Sequence, residues 1–190
     1  LIYHYIMPIK TPICDFGQAA KSFELKSTNN EIVKLNDVKG ENGTLIMFIC
    51  NHCPYVIAVI KDVIEDYENL KELGIRAVAI CSNDSINYPE DSFEKMINFY
   101  KDHNFNFPYL IDETQETAKS YGAVCTPDFF GYNKNLELQY RGRIRELKNL
   151  KPIKSDESDL FRAMKQIAET GKGPEKQIPS MGCGIKWLDN

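Results

Sequence analysis

Two cysteines, Cys50 and Cys53, stand two residues apart, directly after a run of apolar residues and directly before Pro54. A Cys-x-x-Cys pair is typical of a zinc site or of a redox-active dithiol, and in an oxidising compartment it can form a structural bridge. His52 lies between the two thiols and offers an imidazole to a metal or to a thiolate. The spacing therefore points to chemistry at sulfur and leaves its kind open.

A structural zinc site requires four ligands, which usually come from two paired groups. The sequence has no second pair of cysteines or histidines at ligand spacing, and Cys125, Cys183 and His103 are single residues. A metal carrier that binds zinc or copper through Cys50, Cys53 and His52 is therefore kept as an alternative to a redox protein.

Pro54 indicates which thiol of the pair is the better nucleophile. Proline is favoured at the first position of a helix, so a helix that begins at Pro54 places Cys53 at its N-cap and Cys50 at the end of the preceding strand. The unpaired N–H groups of Tyr55 and Val56 then point towards the sulfur of Cys53, and the helix dipole stabilises its thiolate. Cys53 is therefore the predicted nucleophile.

The composition narrows the class of protein. The chain has 190 residues, 43% hydrophobic and 26% charged, which predicts a single domain over residues 1–190. A net charge of −4 without a basic block favours neither nucleic acid nor an anionic membrane as partner. No apolar run reaches the roughly 20 residues that span a bilayer, and the short apolar start does not resemble a signal peptide. The cysteines are too sparse for a disulfide-stapled secreted module, so we expect a cytoplasmic protein.

The first half of the chain predicts a hairpin followed by a strand–helix–strand unit. Residues 23–26 and 32–35 alternate around a turn, and residues 44–49 form a continuous apolar run of strand length. From Pro54 the apolar residues recur at helical spacing, and the stretch IRAVAICS then predicts a second buried strand. Such a unit implies two parallel strands joined by a right-handed crossover.

The second half predicts two more helices, then two strands and a last helix. These elements are expected around residues 93–104, 113–121, 128–144 and 156–170. Residues 172–190 show no clear period, so the folded core is predicted over about residues 8–171, with a tail behind it. One mixed sheet between layers of helices accommodates this order of elements.

Four stretches together resemble a known family: FICNHCPYV, GAVCTPDFF, YRGRI and PSMGCGIKW. They are similar to the alkyl hydroperoxide reductase/thiol-specific antioxidant (AhpC/TSA, redoxin) superfamily, and most of all to its peroxiredoxin-like branch of thioredoxin family proteins. The resemblance covers nearly the whole chain. It implies an α/β fold, namely a thioredoxin-like three-layer α/β/α sandwich with an N-terminal β-hairpin extension and a helical insertion.

The resemblance also implies roles for single residues. Cys53 aligns with the first, attacking cysteine of the thioredoxin motif, and Val56 takes the position of the second. Thr126 and Pro127 match the cis-proline segment, which packs against the attacking cysteine and presents its backbone to a bound substrate. Pro54 and Tyr55, next to the attacking cysteine, are expected to contact the substrate as well.

Two departures from the family pattern concern peroxide reduction. Peroxide-reducing members carry a threonine three residues before the attacking cysteine and an arginine across the site. Here Cys50 occupies the threonine position, and Arg141 and Arg143 are not placed at the sulfur by the resemblance. Stabilisation of the charge that develops on the peroxide oxygens would then lack its usual donors.

A second thiol is needed to complete a redox cycle at Cys53. Cys125, close to Pro127 in sequence, Cys50, and Cys183 in the glycine-flanked tail are the candidates. The sequence thus predicts a thiol-disulfide oxidoreductase or hydroperoxide reductase without cofactor or metal, which acts on a disulfide-containing protein or a small thiol or hydroperoxide. We expect an external thiol as reductant and a homodimer as one oligomeric option. Besides the metal carrier, a redox-inert binding module is the remaining alternative.

Overall fold

The computed structural model of the protein describes residues 7–189. The first six residues, the apolar start that does not resemble a signal peptide, lie outside the described residues, as does Asn190. No helix in residues 7–189 combines the length and the apolar character that crossing a membrane requires.

The described chain contains helices on both sides of a sheet. The α-helices are α1 (Pro54–Lys71), α2 (Phe93–Asp102), α3 (Glu116–Tyr121) and α4 (Asp159–Thr170). Short 3₁₀ helices cover Leu35–Val38 and Pro89–Asp91. The strands are β1 (Ile9–Lys10), β2 (Glu24–Ser27), β3 (Ile32–Lys34), β4 (Gly43–Phe48), β5 (Ile75–Cys81), β6 (Tyr109–Ile111), β7 (Cys125–Thr126), β8 (Asp128–Asn133), β9 (Leu138–Tyr140), β10 (Leu147–Lys148), β11 (Lys151–Pro152) and β12 (Met181–Gly184).

Seven strands form the central sheet, in the order β3-β2-β6-β5-β4-β8-β9. β5 pairs in parallel with β4 and with β6, whereas the other neighbours are antiparallel. β4 lies between β5 and β8 and leads directly into the Cys50–Cys53 segment, so the middle of the sheet positions the candidate thiols. A separate three-stranded sheet has the order β1-β12-β7.

The strands of the central sheet are buried on both faces, because successive side chains point to opposite sides. On β4, Leu45 and Met47 pack in the core beneath α1, α2 and α4, whereas Ile46 and Phe48 pack in the core beneath α3. The predicted three-layer α/β/α fold is confirmed. The predicted hairpin is formed by β2 and β3 at one edge of the sheet, and α2 is the helical insertion between β5 and β6.

Two helix starts differ from the sequence prediction because side-chain caps select later residues. The carboxylate of Asp112 accepts the N–H groups of Thr117 and Ala118, and α3 begins at Glu116 rather than at residue 113. α4 begins after Ser158, whose hydroxyl accepts the N–H of Phe161 at 2.9 Å, rather than near residue 156.

The C-terminal segment differs from the sequence prediction more than the two helix starts do. The sequence predicts no element after residue 171, whereas β12 lies there as the middle strand of the small sheet. Its Met-Gly-Cys-Gly sequence has no alternating apolar pattern, and its partners β1 and β7 are distant in the chain. Pairing with distant strands, which local sequence does not encode, therefore orders this segment.

Asp66 on α1 connects the first and last helices. The hydroxyl of Ser158, at the N-cap of α4, donates a hydrogen bond to its carboxylate. Burial raises the pKa of Asp66 from 3.8 to about 6, although the Ser158 hydrogen bond and the charge of Arg145 act to lower it. Folding therefore favours the protonated form of this carboxyl relative to the unfolded chain.

We expect Asp66→Asn to remove a pH-dependent loss of stability. Because the folded-state pKa is raised, the contribution of this carboxyl is fully present below its ordinary value of 3.8 and is lost as the pH rises through about 6. The full difference is about 3 kcal/mol. Denaturant unfolding between these pH values should show the unfolding free energy of the wild type falling relative to that of the variant.

Glu169→Gln, at an exposed position of α4, controls for the loss of a negative charge and should follow the wild type. A constant difference between the wild type and Asp66→Asn over this pH range would contradict the prediction.

Candidate active site

Cys53 lies where the loop after β4 enters α1. It is the N-cap residue, with an extended backbone (φ −66°, ψ 123°), and Pro54 is the first residue of the helix. This is the position that the sequence predicts. The capping expected from the N–H groups of Tyr55 and Val56 is weak, because the side chain of Cys53 makes no capping hydrogen bond of ordinary geometry and the N–H of Val56 contributes little to the pKa of its thiol. Cys53 is buried (0% exposed), and other groups surround its sulfur.

The nearest of these groups is Cys183, 130 residues further along the chain, whose Sγ lies 2.8 Å from the Sγ of Cys53. β12 carries Cys183 and pairs antiparallel with β7, so that Cys183 stands opposite Thr126. The carbonyl oxygen of Thr126 lies 3.2 Å from the Sγ of Cys53 and accepts a hydrogen bond from its thiol form. Strand pairing between the tail and β7 therefore brings the two sulfurs into contact.

The other predicted site residues surround this pair at different distances. Cys50 Sγ lies 3.5 Å from Thr126 Oγ1, and the peptide bond between Thr126 and Pro127 is cis. Cys125 is buried, and its sulfur contacts the carbonyl oxygen of Pro127 at 3.6 Å. In the described part of the chain, the sulfur of Cys53 interacts with Cys183, Thr126 and Cys50 and makes no hydrogen bond to Cys125.

The two residues at the start of α1 that were predicted to contact the substrate lie closer to solvent than Cys53. The side chain of Pro54 is exposed, and that of Tyr55 is half-buried. Both stand in the first turn of the helix, directly after the sulfur. An incoming molecule would therefore meet them before it reaches Cys53.

The surroundings of Cys53 lower the pKa of its thiol well below the ordinary value of 9.0. Hydrogen bonding from Cys183 is the main cause, followed by Cys50, and the side chain of Thr126 and the N–H of Val56 contribute less. Burial acts in the opposite direction because it penalises the charged form. Neutral donors therefore stabilise the thiolate.

The other five cysteines have raised pKa values. The hydrogen bond to Cys53 raises the pKa of both Cys50 and Cys183, and burial adds to the effect. Burial raises the pKa of Cys125, and it raises that of Cys81 to about 12 and that of Cys14 to about 11. Cys53 is therefore the one cysteine of the chain whose environment favours a thiolate.

His52 forms an ion pair with Asp91, a buried residue in the 3₁₀ helix ahead of α2. The Nδ1 of His52 lies 2.7 Å from the carboxylate, which also accepts the N–H of Asn51 at 2.8 Å and the side-chain amide of Asn83 at 2.8 Å. The hydrogen bond to Asp91 raises the pKa of His52, against the effect of burial. A charged imidazole is therefore favoured beside Cys53 in the sequence.

Cys50, His52 and Asp91 are the residues that could hold a metal ion. One ligand atom from each lies within 4.8 Å of the others, and thiolate, imidazole and carboxylate all bind zinc. This set contains Asp91 in place of Cys53, which the sequence-based metal hypothesis used. In the protein, Asp91 already accepts hydrogen bonds from His52 and Asn51. The sulfur of Cys50 contacts the hydroxyl of Thr126.

Neither arginine that the sequence analysis considered is a free cation at the sulfur. Arg141 makes two contacts with the buried carboxylate of Asp128, at 2.9 and 3.2 Å. Arg143 pairs with Asp159 at 2.7 Å. Both guanidinium groups are thus held by carboxylates of other elements.

Sequence reasoning missed three residues around the thiols. Gly182 lies so close to β7 that a Cβ atom would come within 2.0 Å of the carbonyl oxygen of Thr126. Ser180 donates to the carbonyl oxygen of Pro127 at 2.7 Å, and Asp91 holds His52. The glycines that flank Cys183 are a signal of close backbone approach, whereas no signal in the sequence singles out Asp91.

Known proteins similar to this chain include a protein of Geobacillus kaustophilus whose crystal structure is described as that of an uncharacterized conserved protein. It is 39% identical over 97% of this chain and 98% of its own, with a TM-score of 0.91. Peroxiredoxin Bcp of Bacillus subtilis is 27% identical over 67% of this chain and 73% of its own length. The thioredoxin domain of a thiol-disulfide oxidoreductase from Bacteroides vulgatus is 15% identical and shares the fold, with a TM-score of 0.57 over 72% of this chain and 91% of that domain.

The model of the AhpC/TSA family matches residues 16–147. The matched stretch includes Cys50, Cys53, Thr126 and Pro127, and it ends before β12 and Cys183. The fold is therefore thioredoxin-like, and the chain is a distant relative of peroxiredoxins and thiol-disulfide oxidoreductases. On the match of its residues 16–147, the chain belongs to the AhpC/TSA family.

Proposed function

We propose that the protein is a thiol-dependent oxidoreductase in which Cys53 attacks a disulfide or hydroperoxide and Cys183 resolves the product. The distance of 2.8 Å between the two sulfurs is the observation that carries this proposal. Similarity to peroxiredoxin Bcp supports the redox class. The sequence leaves Cys125, Cys50 and Cys183 open as the resolving thiol. The short distance to Cys53 favours Cys183.

The reaction at a disulfide proceeds in two exchanges. The thiolate of Cys53 attacks one sulfur, forms a mixed disulfide and releases a thiolate. Cys183 gives up its proton to the thiolate already released and attacks the sulfur of Cys53, which forms the Cys53–Cys183 disulfide and releases the second thiolate. The substrate gains two electrons, and the two protein thiols lose them.

With a hydroperoxide the first step differs. The thiolate of Cys53 attacks the terminal peroxide oxygen, which gives a sulfenic acid and, after protonation, an alcohol or water. Cys183 then forms the disulfide and releases water. An external thiol restores both thiols by exchange in either case.

The assignment of the attacking role to Cys53 rests on the opposite shifts of the two pKa values. A lowered pKa keeps Cys53 anionic at neutral pH, whereas the raised pKa of Cys183 keeps it protonated as the donor. Once Cys53 has reacted, its negative charge is gone, and the main cause that raised the pKa of Cys183 disappears, so that mainly burial still raises it. Cys183 can then lose its proton and attack.

The surrounding residues support this chemistry. The backbone of Thr126 and Pro127 and the exposed residues Pro54 and Tyr55 are the proposed contacts of the substrate. Cys50 donates towards the thiolate of Cys53. The reaction needs no organic cofactor or metal. The external thiol reductant, the homodimer and the cytoplasmic location stay predictions.

We expect oxidation to produce a bridge between Cys53 and Cys183. Reduced protein is treated with one equivalent of hydrogen peroxide or of a small disulfide, remaining thiols are alkylated, and the bridge is located by peptide mass mapping. Cys183→Ser should stop the reaction at a sulfenic acid or mixed disulfide on Cys53. Cys53→Ser should abolish both products, because no other cysteine has a lowered pKa.

Cys14→Ser controls for the loss of one thiol and should form the bridge as the wild type does. A bridge that instead joins Cys53 to Cys125 or Cys50, and that persists in Cys183→Ser, would refute the role of Cys183. Absence of any product on Cys53 would favour the redox-inert binding module.

We expect Cys183→Ala to raise the pKa of Cys53 by about one pH unit or more, because a hydrogen bond to a charged group contributes about 1.5–3 kcal/mol. The midpoint of the pH profile for iodoacetamide alkylation of Cys53 measures this change, and it does not depend on how far the variant alters access. Cys14→Ala is the matched control. An unchanged midpoint in Cys183→Ala would show that groups other than Cys183 lower the pKa of Cys53.

A metal carrier is the second candidate, favoured by the proximity of Cys50, His52 and Asp91. Titration of the reduced protein with Zn²⁺ separates it from the oxidoreductase. We expect no stoichiometric binding, because hydrogen bonds and an ion pair within the protein already engage these ligands. Binding of one equivalent that Asp91→Asn abolishes and Cys183→Ala retains would support the carrier.

A further inference from the structure

We propose that Cys53 acts on small disulfides or hydroperoxides and not on protein disulfides, because the chain's own β12 occupies the place through which a peptide would reach it. The inference rests on the proposed function of Cys53 and specifies its substrate class. The sequence predicts a disulfide-containing protein or a small thiol or hydroperoxide as substrate, and the inference excludes the protein.

The backbone beside Cys53 belongs to β7. The carbonyl oxygen of Thr126 lies 3.2 Å from the sulfur, and an extended peptide commonly binds such a strand edge by adding a strand to it. A residue opposite Thr126 delivers its side chain to Cys53, as the contact of Cys183 demonstrates. A substrate peptide that presented its sulfur in this way would need the position that β12 fills.

β12 fits this edge closely. Gly182 has no side chain to separate the strands, and a Cβ atom there would meet the carbonyl oxygen of Thr126 at 2.0 Å. Ser180 donates from a buried hydroxyl to the carbonyl oxygen of Pro127 at 2.7 Å. On its other side β12 pairs with β1, so that Gly182 stands opposite Ile9. The strand is therefore enclosed between two neighbours.

Polar contacts hold both ends of the strand. Before β12, the N–H of Thr11 donates to the carbonyl oxygen of Ser180 at 3.0 Å. After it, the N–H of Lys186 donates to Asn83 at 2.9 Å, and the amide of Gln115 donates to the carbonyl oxygen of Lys186 at 2.9 Å. A protein substrate would have to break these contacts as well as the strand pairing before it could reach the sulfur.

A small molecule has a shorter route. A cavity of about 360 Å³ has Tyr55, Pro127, Phe129, Ile144 and Met181 among its walls. It therefore borders the first turn of α1 and the start of β12, and these side chains separate it from the sulfurs. Its volume is in the range of small-molecule sites. Tyr55 is only half-buried and stands two residues from Cys53, and Met181 is 39% exposed. Displacing these side chains requires no separation of β12 from β7.

The reaction with a small disulfide follows the two exchanges of the proposed function. The thiolate of Cys53 displaces one thiolate of the substrate, and Cys183 displaces the other from the mixed disulfide. Both steps take place with β12 on β7, because the attacking and resolving sulfurs are already in contact.

Gly182→Ala and Gly184→Ala form a matched pair on either side of Cys183. The first places a methyl group against the backbone of Thr126 and must push β12 away from β7. The second meets only the end of the Ile9 side chain, at 2.7 Å, which can move aside. Both variants retain all cysteines.

The experiment follows loss of the Cys53 thiol after reduced protein is mixed with 2-hydroxyethyl disulfide or with insulin, at equal disulfide concentration. We expect the wild type and Gly184→Ala to react with the small disulfide about tenfold faster or more than with insulin. Gly182→Ala should raise the rate with insulin relative to the small disulfide about tenfold.

Equal rates with both substrates in the wild type would overturn the inference and leave the proposed function intact. Hydrogen peroxide is tested in a third arm, and reaction with none of the three substrates would overturn the proposed function, and the inference with it. If circular dichroism shows that Gly182→Ala does not fold, Ser180→Ala loosens the same strand by removing one hydrogen bond. A rate ratio unchanged in Ser180→Ala would then overturn the inference.

Discussion

The approach of β12 to β7 is the constraint on which the candidate site depends. Gly182 permits the two backbones to lie closer than any side chain would allow, and the resulting register sets Cys183 opposite Thr126. The same register places the sulfur of Cys183 at 2.8 Å from that of Cys53. Without it, Cys53 would keep its place at the start of α1 but lose the hydrogen bond that lowers its pKa most. Tertiary pairing, more than the helix start, therefore lowers the pKa of this thiol.

The site stabilises a negative charge inside the core without a cation at the sulfur. An unpaired buried ion costs several kcal/mol, whereas a hydrogen bond to a charged group contributes about 1.5–3 kcal/mol. More than one donor is thus required, and Cys183, Cys50 and Thr126 supply them. Arg141 and Arg143 are engaged by carboxylates, so they add no further charge there. A thiolate held by neutral thiols depends on the protonation state of those thiols, which links the two steps of the proposed reaction.

The sequence predicts what local patterns encode. The helical period after Pro54 predicts α1, the apolar run at residues 44–49 predicts β4, and proline chemistry predicts that Cys53 is the N-cap. It does not predict β12, because a four-residue strand with two glycines has no period, and its register depends on β1 and β7. The sequence does not predict the role of Asp91 either, because an acidic residue outside a clear pattern does not indicate that it is buried beside His52. Elements were therefore predictable, whereas the contacts that activate the thiol were not.

The division of the site between two parts of the chain has a further consequence. The stretch that matches the family ends at residue 147 and supplies Cys53 and Thr126, whereas Cys183 comes from a strand beyond it. That strand both donates the hydrogen bond that favours the thiolate and covers the edge of β7. A change that loosens it would open the site to larger molecules and, at the same time, raise the pKa of Cys53. Under the proposed function, reactivity and selectivity thus depend on one contact, and a change in β12 would alter both.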